Sequence, residues 1–78
     1  MSITVKYFAS IRESLGKGED TIDSDGIVSV ADAWRQATQT PLPKNVLAAL
    51  NMEYVRPDHA VQDGDEVAFF PAVTGGAV

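Results

Sequence analysis

The sequence predicts an α+β fold in which a mixed sheet of four or five strands carries one main helix on one face. Three observations predict this fold class. Apolar segments of strand length lie near both ends of the chain, a helical apolar stripe lies between them, and the whole chain has 78 residues. A chain of this size buries roughly 60% of its unfolded surface, so it has room for one small core.

The first strand is predicted over residues 3–8, where apolar and polar residues alternate. Ile3, Val5 and Tyr7 share one face, as in a half-buried strand. Phe8 interrupts the pattern, because it places a large apolar ring on the opposite, polar face.

A short helix is predicted over residues 11–15, followed by a turn and a weaker strand at 20–23. Ser10 and Glu13 have the spacing of a capping box, in which each side chain bonds the backbone of the other residue. Gly16 suits the position after the helix, because glycine adopts a left-handed conformation without steric cost.

The main helix is predicted over residues 30–38. Its apolar residues recur at the spacing of one helix face: Val30, Ala33, Trp34 and Ala37. Ser29 and Asp32 repeat the capping pattern at its start, and the segment 40–43 ends it because proline cannot continue a helix. Trp34 is therefore interpreted as a core residue.

Three strands are predicted in the rest of the chain. Residues 46–50 fit either a helical turn or a buried strand, and the turn-like residues after them favour a strand for the later part. Tyr54-Val55 is predicted to return as a short strand. After a tight turn at Asp63-Gly64, residues 66–70 are apolar on both faces, as in a central strand.

We expect the first two strands to pair as a hairpin and the main helix to cross one face of the sheet. The last strand is expected in the middle, beside the first. This is the β-grasp, or ubiquitin-like, arrangement. A ferredoxin-like domain is the alternative, but it needs two comparable helices, and the sequence predicts one good one.

Composition argues against several classes of function. The sequence has no cysteine, which excludes disulfides and thiolate metal sites, and its single histidine, His59, is interpreted as a surface residue. The acidic pairs near the turns do not match a calcium loop. We therefore predict no metal site and no bound cofactor.

Charge and hydropathy restrict the partners. A net charge of −5 argues against nucleic acid, which favours clustered Lys and Arg. No apolar run approaches the roughly 20 residues of a membrane span, and no signal sequence is recognisable. The expected protein is cytoplasmic, with neither a nucleic acid nor a membrane as its partner.

Phe8 and Phe70 are predicted to form an exposed apolar patch. By strand alternation, Phe70 lies on the opposite face from Phe69. If the main helix covers Tyr7 and Phe69, the other two rings lie together on the uncovered face. A protein of this size has no second layer to bury them, which favours a partner surface over packing under a loop.

The end of the chain is predicted to form a flexible tail, residues 71–78, beyond a domain at residues 1–70. Pro71 is expected to stop the last strand. The six residues 71–76 span roughly 20 Å when extended. The glycines Gly75 and Gly76 permit close approach by another molecule, although composition alone favours a fraying end.

Three stretches of the chain match a known family: residues 5–13, residues 50–51 and residues 63–76. The last, D-G-D-E-V-A-F-F-P-A-V-T-G-G, is the most specific. Over residues 1–76 the chain resembles the MoaD/ThiS family of ubiquitin-like sulfur carriers, and within it the MoaD branch, the small subunits of molybdopterin synthase.

The resemblance implies a function for the tail. An E1-like (MoeB-like) enzyme would use ATP to adenylate the carboxylate of Gly76, which would then become a thiocarboxylate. The tail, including Thr74 and Gly75, would enter the MoaE-like large subunit of molybdopterin synthase and deliver sulfur to cyclic pyranopterin monophosphate. The residues implied to contact the large subunit are Phe8, Tyr54, Phe70 and Pro71.

The chain departs from the family because Ala77 and Val78 follow the second glycine. Only a free carboxylate can be adenylated, so Gly76 would become the site after removal of these two residues. Three interpretations are open. The residues are cleaved, they are an artefact of the gene model, or this copy is inactive or uses Val78 as its end.

Two other functions also remain open. The first is a carrier in thiamine synthesis, cysteine synthesis or tRNA thiolation, although Phe69-Phe70-Pro71 favours the molybdopterin branch. The second is a non-catalytic interaction module or protein modifier. A self-contained enzyme is disfavoured, because the sequence offers no set of catalytic side chains.

Overall fold

The computed structural model describes residues 1–72, which form five strands and two helices. The strands are β1 (Ser2–Tyr7), β2 (Glu19–Asp23), β3 (Val46–Leu50), β4 (Glu53–Val55) and β5 (Glu66–Pro71), and the helices are α1 (Ala9–Leu15) and α2 (Val30–Thr38). The strands form one sheet in the order β2-β1-β5-β3-β4. Strands β1 and β5 are parallel, and the other neighbours are antiparallel. The predicted mixed β-grasp sheet is confirmed.

The core lies between this sheet and the helices. Alternate residues of β1 and of the central strand β5 are buried on the helix side: Ile3, Val5 and Tyr7 of β1, and Val67 and Phe69 of β5. The Trp34 ring of α2 packs edge-on against Tyr7 and Phe69, with ring centroids 6.2 and 4.9 Å away. The predicted faces of β1 and β5 and the core position of Trp34 are therefore confirmed.

Helix α2 begins with the predicted capping box. The backbone N–H of Asp32 donates to Ser29 Oγ at 3.3 Å, and the backbone N–H of Ser29 donates to Asp32 Oδ2 at 3.1 Å. These two bonds satisfy N–H groups that a helix start otherwise leaves without partners. The cap thus fixes where the main helix starts above the sheet.

Helix α1 begins two residues earlier than predicted, and the capping box at Ser10 and Glu13 is wrong. Its N-cap is Phe8, which makes no side-chain capping bond. The carbonyl of Phe8 instead accepts from the backbone N–H of Ile11 at 3.2 Å. Ala9 adopts a positive φ of 53°, which turns the chain directly from β1 into the helix.

Two other boundaries also differ from expectation. Strand β3 includes all of residues 46–50, rather than only the later part. Strand β5 continues through Pro71, which pairs with Val46, and the N–H of Ala72 donates to the Asn45 carbonyl at 2.8 Å. The strand therefore ends at Pro71 itself, one residue later than predicted.

The predicted turn glycines are confirmed at two positions. Gly16 ends α1 with a φ of 74° and donates its N–H to the Arg12 carbonyl at 2.9 Å. Gly64 has a φ of 90° in the turn before β5. Neither helix within residues 1–72 is long and apolar enough to cross a membrane.

Candidate partner-binding surface

The uncovered face of the sheet carries an aromatic cluster near the ends of β1 and β5. The Phe70 ring lies edge-on to both Phe8 and Tyr54, with ring centroids 6.4 and 5.4 Å away. Phe8 is 45% exposed and Tyr54 is 75% exposed. The structure therefore brings together three of the residues predicted to contact a partner.

Strand register explains why these rings meet. Leu47 of β3 lies opposite Phe70 of β5, while Ala49 lies between Tyr54 on one side and Ala68 on the other. Neighbouring strands allow diagonal contacts between large side chains. Because the two alanines are small, the Tyr54 ring reaches across β3 to Phe70.

Leu47 also belongs to this surface, and the residues predicted from the sequence do not include it. It is 42% exposed and shares the face of Phe70. Alternation within β3 would have identified it, had residues 46–50 been assigned as a strand throughout. We call Phe8, Leu47, Tyr54 and Phe70 the open-face patch.

The backbone holds Phe8 in this patch. The N–H of Phe8 donates to the carbonyl of Phe69 at 3.0 Å, which extends the β1–β5 ladder by one residue. The same residue is the N-cap of α1, with an extended backbone. The Phe8 ring therefore occupies the corner where the strand becomes a helix.

A charged pair lies beside the patch. Lys6 Nζ is 3.7 Å from Glu66 Oε1, and both side chains are well exposed. An exposed pair of this kind contributes little to stability. The arrangement of an apolar centre with a polar margin is typical of protein interfaces.

The carboxylates with shifted pKa values have structural roles elsewhere. The pKa of Asp20 is lowered first by a hydrogen bond from Lys17, whose Nζ is 2.8 Å away, and then by the Tyr7 hydroxyl, also at 2.8 Å. The pKa of Asp32 is lowered first by the N–H of Val28 and then by that of Ser29. Burial, followed by the bond to Asp20, raises the pKa of Tyr7.

Other predicted positions lie apart from the patch or outside the described residues. Pro71 follows Phe70 on β5, so strand alternation places it toward the helix side. His59 is exposed, as expected. Residues 1–72 contain no group of three or more His, Asp or Glu side chains placed to hold a metal ion. The tail positions lie outside the described residues: Thr74, Gly75, Gly76, Ala77 and Val78.

A family comparison identifies the group to which this fold and tail belong. The model of the ThiS family matches residues 5–76, which is most of the chain and includes both tail glycines. The chain belongs to the ThiS family.

Relatives within this group are similar over nearly their whole length. The molybdopterin synthase sulfur carrier subunit of Escherichia coli is 37% identical over 83 aligned positions, covering 95% of this chain and 99% of the relative. The protein of the same name from Chlamydomonas reinhardtii is 39% identical, covering 97% and 100%.

The structural comparison agrees with the β-grasp assignment. The crystal structure of SAMP1 from Haloferax volcanii has a TM-score of 0.78 and 28% identity, and the match covers 97% of this chain and all of that one. The fold of this ThiS-family chain is therefore shared across nearly its entire length.

Proposed function

We propose that this chain is the sulfur-carrier subunit of a molybdopterin synthase and carries sulfur as a thiocarboxylate on Gly76. The observation that carries the proposal is the near full-length similarity to two molybdopterin synthase sulfur carrier subunits, at 37% and 39% identity. The family match that extends through Gly76 supports the choice of that residue.

The chemistry takes place at the main-chain terminus. Once Ala77 and Val78 are removed, an E1-like (MoeB-like) partner joins the Gly76 carboxylate to AMP from ATP and releases pyrophosphate. A sulfur donor then displaces AMP, which leaves a thiocarboxylate. This sulfur attacks cyclic pyranopterin monophosphate in the large subunit, and water then cleaves the bond between sulfur and the Gly76 carbonyl. The sulfur stays on the pterin, and Gly76 regains its carboxylate. In this proposal the chemistry requires no cofactor, acid or base from this chain.

The large, MoaE-like subunit would dock on the open-face patch. The aromatic part of the open-face patch consists of Phe8, Tyr54 and Phe70. Aromatic residues that become buried on binding are frequent anchors of protein interfaces. Pro71 follows Phe70 at the end of β5 and would orient the tail as it leaves the docked surface. This carrier would act in the cytoplasm, away from nucleic acid and membranes.

The direct test is an intact mass measurement. Chain ending at Gly76 is incubated with ATP, the activating enzyme and a sulfur donor, and its mass should increase by the difference between sulfur and oxygen. The matched control is the 78-residue chain, which should keep its mass because Gly76 has no free carboxylate. An unchanged mass of the trimmed chain, with all components proven active on a known carrier, would contradict the proposal.

A second candidate function is protein modification. It is favoured by the likeness to SAMP1, which a second structure from Haloferax volcanii describes as small archaeal modifier protein 1 at 26% identity. In that case an activated Gly76 would form an amide with a lysine amine of a target protein. Conjugates that resist reducing agents and disappear when Gly75 and Gly76 are deleted would favour this function.

A further inference from the structure

A cleft of about 340 Å³ lies beside the open-face patch, where the end of β1 meets the start of β2. The residues that line it come from these two strands, from α1 and from the loop before β2: Lys6, Tyr7, Phe8, Arg12, Gly18 and Glu19. Because Phe8 also belongs to the open-face patch, the cleft and the patch form one continuous surface. A protein that covers the Phe8 ring would also reach the cleft.

The Arg12 side chain forms one wall of this cleft by lying across Gly18. A Cβ atom placed on Gly18 would be 3.2 Å from Arg12 Nε and 3.3 Å from Arg12 Cζ, so the guanidinium occupies space that a side chain at position 18 would need. The backbone does not require glycine there, because Gly18 is not among the residues with a positive φ. The close approach of Arg12 accounts for the missing side chain.

The backbone holds both members of this contact in place. The carbonyl of Gly18 accepts from the N–H of Tyr7 at 3.0 Å, which fixes the loop against the end of β1. The backbone N–H of Arg12 donates to the carbonyl of Phe8 at 3.4 Å. The guanidinium is therefore ordered beside the cleft before a partner binds, and an ordered side chain loses less freedom on binding.

The Arg12 charge makes no ion pair within residues 1–72. The ion pairs in this part of the chain involve three other cations: Lys6 with Glu66, Lys17 with Asp20 and Arg56 with Asp58. Glu19 lines the same cleft without pairing with Arg12. The whole chain has 11 acidic and 6 basic residues, so an unpaired guanidinium is not explained by a shortage of acids. Beside an apolar patch, it is complementary to an acid on a partner.

We propose that Arg12 is a docking residue that receives a carboxylate of the large subunit when that subunit binds the open-face patch. This inference rests on the proposed function, which supplies the partner. A guanidinium can donate two parallel hydrogen bonds to one carboxylate, which a lysine ammonium cannot do. Gly18 is a positioning residue, because it leaves the space in which the guanidinium lies. The aromatic rings provide apolar contact, and the ion pair fixes the orientation of the docked subunit.

The test is calorimetry of the full chain with the large subunit. Arg12→Ala should weaken binding about tenfold, as expected for a hydrogen-bonded charge pair. Arg12→Lys should restore only part of the affinity, although it keeps the positive charge that favours the end of α1. The matched control is Arg35→Ala, which removes an exposed arginine from the last turn of α2, on the opposite face of the sheet. This control should leave the affinity unchanged.

A double-mutant cycle tests the role of Gly18. Gly18→Ala should weaken binding at least about twofold, because the new Cβ displaces the guanidinium. The free energy of unfolding should change little, since the displaced group is the end of a flexible side chain. In a chain that already carries Arg12→Ala, Gly18→Ala should have no further effect. Equal losses in both backgrounds would show that the methyl group touches the large subunit directly and would overturn the positioning role.

Two results would overturn the Arg12 contact alone. The first is equal binding by the native chain and Arg12→Ala while Phe70→Ala still binds more weakly, which would leave the proposed function intact. The second is a loss on Arg12→Ala that is confined to binding of the activating enzyme, which would assign the guanidinium to that partner. A native chain that does not bind the large subunit at all would instead overturn the proposed function together with this contact.

Discussion

Asn51 and Met52, the two residues between β3 and β4, both adopt positive φ values, 50° and 76°. At Asn51 this conformation is supported by two side-chain hydrogen bonds. Its side-chain oxygen accepts from the N–H of Glu66, and its side-chain amide donates to Asp65, both at 3.1 Å. Met52 is 91% exposed. The left-handed conformation is costly for residues other than glycine, asparagine and aspartate. Backbone strain in this turn is therefore concentrated at Met52.

Replacing Met52 with glycine should stabilise the protein. A left-handed residue with a side chain costs about 1–2 kcal/mol, while the extra freedom of glycine in the unfolded chain costs about 0.5–1 kcal/mol. We expect the free energy of unfolding of Met52→Gly to rise by about 0.5–1 kcal/mol in urea titrations. Asn51→Gly is the control and should lower it, because its side-chain bonds are lost. A destabilised Met52→Gly would contradict the assignment of strain.

The Asp20 carboxylate should make the free energy of unfolding depend on pH in the acid range. Its pKa is lowered in the folded state by the hydrogen bonds from Lys17 and Tyr7, so its contribution is complete above the ordinary pKa of about 3.9. As pH falls through the lowered folded-state pKa, that contribution is lost. The stability difference between the native chain and Asp20→Asn should therefore shrink below about pH 4. Chemical unfolding at a series of pH values measures it, and a constant difference would contradict the expected role.

At the scale of the elements, the two helices begin by different means, and paired substitutions separate them. Ser29→Ala should lower the free energy of unfolding by about 1 kcal/mol, because it removes the acceptor of the N-terminal cap of α2. Ser10→Ala should change it little, because the cap of α1 is the Phe8 carbonyl. Thermal or urea unfolding compares the two. Equal losses would show that Ser10 caps α1 after all.

The elements also show what local sequence can and cannot predict. The alternation in β1 and the stripe of α2 were sufficient to predict both elements and their buried faces, because each pattern is repeated within one element. The start of α1 was predicted wrongly, because it depends on Ala9 adopting a positive φ that alanine normally avoids. That conformation is set by the pairing of Phe8 with β5, a contact distant in sequence.

At the scale of the whole molecule, two adjacent phenylalanines of β5 lie on opposite faces of the sheet. Phe69 is fully buried against Trp34, so Phe69→Ala should cost about 3–5 kcal/mol of unfolding free energy. Phe70→Ala should cost much less, because Phe70 belongs to the partly exposed open-face patch. It should instead weaken binding to the large synthase subunit in calorimetry. Similar stability losses in both variants would contradict this division between the faces.

The residues of the candidate surface could be predicted where their face follows from the alternation of side chains along a strand. Phe8 and Phe70 were placed on the uncovered face by alternation, and Tyr54 was added from the family resemblance. Leu47 was missed because residues 46–50 are apolar throughout, and such a run does not distinguish a helical turn from a strand. Its face became clear only from its pairing with β5.

The parallel pairing of β1 with β5 has a consequence for biosynthesis. The central strand of the sheet, β5, is the last strand of the described chain and pairs with the first, β1, and contacts between distant segments form slowly. A nascent chain at the ribosome can make the β1–β2 hairpin early, but its centre stays open until β5 has been synthesised. We therefore expect folding to wait until β5 has left the ribosome, so that a nascent chain that stops before β5 remains a substrate for proteases.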